Sequence, residues 1–80
     1  MYYFYVLQSL IDGSLYKGIS NNVVIRAKQH NVGKNPSTKS KRPWKIVYIE
    51  KCINRIEARR IEIYYKSGIG REKLKKQINI

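Results

Sequence analysis

One cysteine, one histidine and five acidic residues stand in a chain of 80. A lone Cys52 excludes an intrachain disulfide, and Cys52 with His30 falls short of the three or four ligands that zinc hydrolysis requires. Thiol poverty also suits a reducing compartment, so a cytoplasmic location is expected, with Cys52 as a small buried apolar residue. No apolar run approaches the roughly 20 residues that span a bilayer, and no secretory pattern opens the chain, so no membrane is expected among its partners. Asp12, Glu50, Glu57, Glu62 and Glu72 are too few and too scattered for the carboxylate cluster of two-metal hydrolysis. Eighty residues leave room for one modest core, hence a single domain over residues 1–80, with no small-molecule cofactor expected.

What the chain has in excess is positive charge. Seventeen Lys and Arg against five acids give a formal net charge of +12. Such a surplus suits a polyanion far better than a neutral metabolite, and nucleic acid is the first candidate.

Local patterns indicate an α+β order of ββαβαα, a small three-stranded antiparallel sheet flanked by three helices. Tyr2 to Gln8 is β-branched and aromatic, Asp12-Gly13 is a hairpin signal read as a two-residue turn, and Ser14 to Ile19 resumes the strand pattern. Asn21 or Asn22 caps a helix through about His30. Asn31 to Pro43 is a basic loop, Trp44 to Glu50 a third strand, and Asn54 with Glu57 a capping box for a helix to about Lys66. Gly68 is expected to end that helix, and a last basic helix to follow Gly70.

Four of the five acids have ordinary work. Asp12 belongs to a turn, Glu50 ends a strand, Glu57 caps a helix, and Glu72 sits near the positive end of the last helix. Glu62 is left over. At helical spacing it shares a face with Ala58, Ile61 and Tyr65, so it leans toward apolar neighbours and needs a cation. The plain alternative is an ion pair with Arg59, Lys66 or another base. Tyr5 and Tyr16 lie 11 positions apart across the hairpin. An even-length loop puts Tyr5, Tyr16 and Gly18 on one face, with Gly18 leaving room for the close approach of a phosphate or a neighbouring backbone. Ordinary core tyrosines are the plain alternative. Arg26 and His30 are four apart on the first helix, where one phosphate could touch both, against a plain alternative of solvated bases.

Taken together these residues resemble the GIY-YIG (URI) nuclease superfamily, and in particular its short single-domain bacterial members of the UPF0213 type. Tyr3-Phe4-Tyr5 stands for the first half-motif and Tyr16-Lys17-Gly18 for the second, followed by Arg26, His30, Pro43-Trp44 and the stretch Ala58 to Glu62. The first motif lacks its glycine and isoleucine, and Lys17 replaces the isoleucine of the second, on the strand face opposite Tyr16. The asparagine that larger members carry after the catalytic helix has no firm counterpart here, Asn79 being a poor match.

The resemblance implies a metal-dependent endonuclease acting on nucleic acid, DNA favoured. It implies one Mg²⁺ or Mn²⁺ ion held by Glu62, Arg26 on the scissile phosphate, Tyr5 as general base, Tyr16 positioning it, and His30 relaying a proton; the two tyrosines could exchange roles. Lys17, Lys34, Lys39, Lys41, Arg42 and Lys66, with the terminal Lys73, Lys75 and Lys76, are the expected phosphate contacts. The alternative is a nucleic-acid-binding module that kept the fold and lost turnover, and a structural ribosome-associated protein is a third class that charge alone permits.

Overall fold

A computed structural model describes residues 1–79. The described elements are β1 (Tyr2–Ser9), β2 (Leu15–Ser20), α1 (Val23–Asn31), a short 3-10 turn (Lys39–Lys41), β3 (Trp44–Cys52), α2 (Arg55–Lys66) and α3 (Gly68–Ile78). The strands form one antiparallel sheet in the order β2-β1-β3. The chain is therefore α+β with three helices, as its patterns indicate.

Lying between two neighbours, β1 is buried on both faces, which is why it reads as a nearly continuous apolar and aromatic run. Its odd positions, Tyr5 and Leu7, pack with Val23, Ala27 and Trp44 under α1. Its even positions, Phe4 and Val6, pack with Tyr65 and Leu74 under α2 and α3. The Phe4 ring stacks on Tyr65 at a centroid distance of 5.1 Å, anchoring α2 to the sheet.

The hairpin corrects one expectation. Ser9 N–H donates to Ser14 O at 2.9 Å, so the loop holds the four residues 10–13 and not two. Four is also even, so face parity is preserved: Tyr5 pairs with Gly18 and Leu7 with Tyr16. Asp12 closes the turn by accepting from Ser14 N–H at 2.9 Å, and that bonding holds its carboxyl at about 2, well below the usual range.

The helices start where short polar side chains accept free amides. Asn22, not Asn21, accepts from Ile25 N–H at 3.1 Å, and Asn54 accepts from Glu57 N–H at 2.9 Å. Glu57 reaches back one residue further than a capping box requires, to Ile53 N–H at 3.0 Å. The third strand runs on to the buried Cys52 because that segment keeps pairing with Tyr2 and Tyr3.

The break between the last two helices also falls elsewhere than expected. Ser67 in extended conformation ends α2 and caps α3 through its hydroxyl, which accepts from Gly70 N–H at 3.2 Å, so Gly68 begins a helix instead of ending one. Gly70 is buried at this corner, where a Cβ would overlap the Tyr64 carbonyl oxygen and come within 2.8 Å of Tyr65 Cα. Backbone cannot swing aside as a side chain can. Gly70→Ala is expected to destabilise the fold by about 3 kcal/mol or more, the upper end of overpacking costs. The check is the shift of the urea unfolding midpoint at unchanged slope.

Candidate active site

Tyr5 projects from the central strand toward α1, and its ring crosses Gly18 on the edge strand β2. A Cβ at residue 18 would lie 2.6 Å from the Tyr5 hydroxyl and 2.8 Å from Cζ. The glycine therefore lets the phenol lie across β2, so the space expected to admit a phosphate or a backbone is taken by the Tyr5 ring. The hydroxyl faces His30 Nε2 at 3.5 Å, a long bond of the kind that catalytic groups show before substrate binds.

His30 is completely buried, and each ring nitrogen has a partner. Nδ1 lies 2.8 Å from the hydroxyl of Thr38, which itself donates to Asn35 O at 3.3 Å. A hydroxyl that donates elsewhere must accept here, so Nδ1 carries the proton and the Nε2 lone pair faces Tyr5. Burial, and secondarily the Arg26 charge, depress the imidazole below its ordinary 6.5. A buried ring with both nitrogens engaged cannot share an external phosphate with Arg26, which corrects the expectation drawn from their four-residue spacing.

Tyr16 tilts against the His30 ring at a centroid distance of 4.6 Å and stands 6.4 Å from both Tyr5 and Trp44. It is half-buried, whereas Tyr5 is fully enclosed. Burial pushes the Tyr5 phenol above 10.0, and the neighbouring Arg26 guanidinium pulls the other way. Arg26 also donates to Gln29 Oε1 at 3.0 Å, which steadies its side chain on α1.

Glu62 lies on the buried stripe of α2 with Ala58 and Tyr65. Its carboxylate is 8% exposed, with Oε1 accepting from Arg59 Nη1 at 3.1 Å and Oε2 from Lys66 Nζ at 3.2 Å. The ion pairs weighed as the plain alternative are thus present, and Glu62 is also near enough for its charge to act on Tyr5. The structure gathers Tyr5, Tyr16, Arg26 and His30 closely, and brings Glu62 within electrostatic range from the neighbouring helix.

Among the described residues no three His, Cys, Asp or Glu side chains gather as a ligand set, so a zinc-type centre does not fit. A hard divalent cation held by one carboxylate plus water and phosphate oxygens does fit Glu62, whose exposed cation partners can swing away. A cleft of about 340 Å³ lined by Tyr3, Asn22, Val23 and Ile49 contains none of the five site residues.

Sequence patterns gave no warning of Thr38, Asn31 or Asn35. Thr38 is buried in the segment expected to be a plain loop, and its carbonyl accepts from the Trp44 indole N–H at 2.9 Å. Asn31 donates to Trp44 O at 2.9 Å and accepts from Trp44 N–H at 2.6 Å, pairing with β3 as a neighbouring strand would. Of the expected phosphate contacts, Lys34, Lys39, Lys41 and Arg42 are exposed on that segment. Lys41 pairs with Asp12 at 3.5 Å, and Arg42 donates to Lys39 O at 2.8 Å. Lys73, Lys75 and Lys76 are exposed on α3, while Asn79 is its left-handed cap.

Comparison with known proteins gives a consistent picture. The family described as the GIY-YIG catalytic domain matches residues 1–76. A UPF0213 protein of Bacillus licheniformis is 46% identical over 66 residues, 81% of this chain and 67% of its own. One from Oceanobacillus iheyensis is 37% identical over 92% of this chain and 86% of its own. The solution NMR structure of a UPF0213 protein from Bacillus halodurans superposes with a TM-score of 0.56 at 32% identity, covering 96% of this chain and 85% of that one.

Two expectations follow from the geometry. Gly18→Ala is expected to displace the Tyr5 ring from β2 and cost about 1–3 kcal/mol, because a buried ring cannot yield easily; denaturant titration and the Tyr5 ring resonances check both effects. The second concerns pH. With its folded value below 6.5, His30 binds protons more readily in the unfolded chain, so its share of stability is complete above 6.5. That share is lost as pH falls from 6.5 through the lower folded value. Unfolding midpoints measured across that window should slope for the wild type, and His30→Gln should remove this part of the slope.

Proposed function

From the membership of this chain in the GIY-YIG catalytic domain family, we propose that it is an endonuclease hydrolysing phosphodiester bonds in nucleic acid, DNA preferred, with one Mg²⁺ or Mn²⁺ ion as cofactor. The observation that carries this is the Tyr5 hydroxyl bracketed by a neutral imidazole nitrogen and a guanidinium. A packing core has no use for that arrangement, since each buried polar group costs free energy unless satisfied, whereas proton transfer beside a phosphate needs all three.

Arg26 binds the scissile phosphate and offsets its charge in the transition state. Once the substrate and its water enter past the half-buried Tyr16, Tyr5 takes a proton from the attacking water while its own proton passes to His30 Nε2. The relay removes the difficulty that burial disfavours a free phenolate, because Tyr5 never has to exist as one. Thr38 keeps the imidazole in the tautomer that accepts, and Tyr16, tilted against that ring at the solvent side, positions the water. Glu62 would hold the metal ion, which when bound supplies charge stabilisation for the departing oxygen. Arg59 and Lys66, which neutralise Glu62 in the free protein, then face phosphate oxygens. The exposed Lys34, Lys39, Lys41 and Arg42 supply sequence-independent contacts to the backbone.

The test uses labelled single- and double-stranded DNA and RNA with Mg²⁺, Mn²⁺ or EDTA. Glu62→Gln keeps the shape and removes the charge, so cleavage should vanish while binding persists. Tyr5→Phe should lose about 10²–10⁴-fold in rate with affinity kept, the ordinary scale of general-base catalysis. Equal trace activity in wild type and Glu62→Gln on every substrate would assign that activity to a contaminant and sink the proposal.

A further inference from the structure

Lys17 sits on β2 between Leu15 and Ile19, which belong to the core under α2 and α3. Its side chain therefore lies on the sheet face opposite Tyr16, where it is half-buried. The two helices that pack on this face, through Tyr65 and Leu74, carry three more cations whose charges reach it: Lys66 at the end of α2, and Arg71 and Lys75 one turn apart on α3, either side of Leu74. The ion pairs among the described residues include none to Lys17, Arg71 or Lys75, and the Lys66 partner is Glu62. Burial first, and then these like charges, hold the Lys17 ammonium below its ordinary value.

Four converging cations with one carboxylate between them repel one another, and nothing in the packing requires a lysine at this strand position. The neighbours Leu15 and Ile19 show that an aliphatic side chain fits that face. An anion placed among the four would turn repulsion into attraction. The α3 amino end adds to this, because Arg71 lies in the first turn of that helix.

We propose that Lys17, Lys66, Arg71 and Lys75 form a second phosphate site, which takes the backbone of the bound nucleic acid beyond the scissile phosphate. The site rests on the nucleic-acid partner named above, and its position follows from sheet order. β2 is an edge strand, so a backbone can cross its rim from the tyrosine face to the Lys17 face. Lys66 lies one helical turn from Glu62 and joins the two. A nucleic acid lying on Arg26 and Glu62 therefore meets Lys66 next, and then the α3 cations.

The experiment is fluorescence anisotropy with a short labelled DNA duplex in EDTA, so that binding is read without cleavage, over about 50–200 mM salt. The wild type is compared with Lys17→Met, with Arg71→Gln/Lys75→Gln, and with a charge-matched control, Lys45→Gln/Lys51→Gln, on the exposed positions of β3. Each lost phosphate contact lowers the log–log salt slope by about 0.9, so the α3 double variant should lose about 2 in slope and at least tenfold in affinity at low salt. Lys17→Met should lose about 1, and the β3 control almost nothing. Equal losses in the α3 variant and the control would overturn the site, since net charge alone would then explain both. Failure of the wild type to bind overturns this site and the nucleic-acid reading together. Binding with the expected slopes but without cleavage under Mg²⁺ would leave the site standing and remove the nuclease reading alone.

Discussion

Gly18 carries no Cβ, and the Tyr5 ring occupies the space that one would take. That exchange brings a phenol from the central strand across to the sheet rim, where α1 can meet it with His30. His30 then needs a second partner for Nδ1, and the buried Thr38 hydroxyl provides it. Thr38 in turn is fixed by Trp44, whose indole donates to its carbonyl, and Trp44 is fixed by the Asn31 amide on its backbone. The chain runs from sheet to helix to loop and back to the opposite edge strand. Each link satisfies a polar group that burial would otherwise make costly, so none can be removed without exposing the next.

The legible parts of the sequence were those governed by period and parity. Tyr5, Tyr16 and Gly18 share a face because any even loop yields that outcome, and four residues serve as well as two. Asn22 and Asn54 act through their own neighbouring amides, so their helices begin where a local rule places them. The misplacements arose where two local rules competed. Gly68 carries the usual mark of a helix end, yet Ser67 closes one helix and caps the next, and a hydroxyl that does both outweighs a glycine preference worth less than one hydrogen bond.

Tertiary bonds were illegible for a different reason. The segment from residue 31 to residue 43 is polar and basic and carries no period, yet Asn31, Thr38 and Lys41 each bond through side chain or carbonyl to a residue outside it. His30 shows the same effect. On helical spacing it belongs beside Arg26 at the surface, but the rim occupied by Tyr5 and Tyr16 closes over it, and a residue expected to meet phosphate becomes an interior partner of the Tyr5 hydroxyl.

Charge is divided unevenly along the β2 rim. Glu62 is buried, and Arg59 and Lys66 compensate its charge within the protein, a pairing whose exposed partners are only weakly held in water. Lys17, on the sheet face under α2 and α3, is half-buried near cations with no carboxylate of its own. A sequence selected for stability alone would place an aliphatic residue there, or an acid beside it. A carboxylate held by detachable cations and a lysine held by none share a remedy, because both are relieved by ligands of opposite charge that the protein does not itself contain. Local departures of this kind are expected where a surface has been shaped for a ligand instead of for the fold.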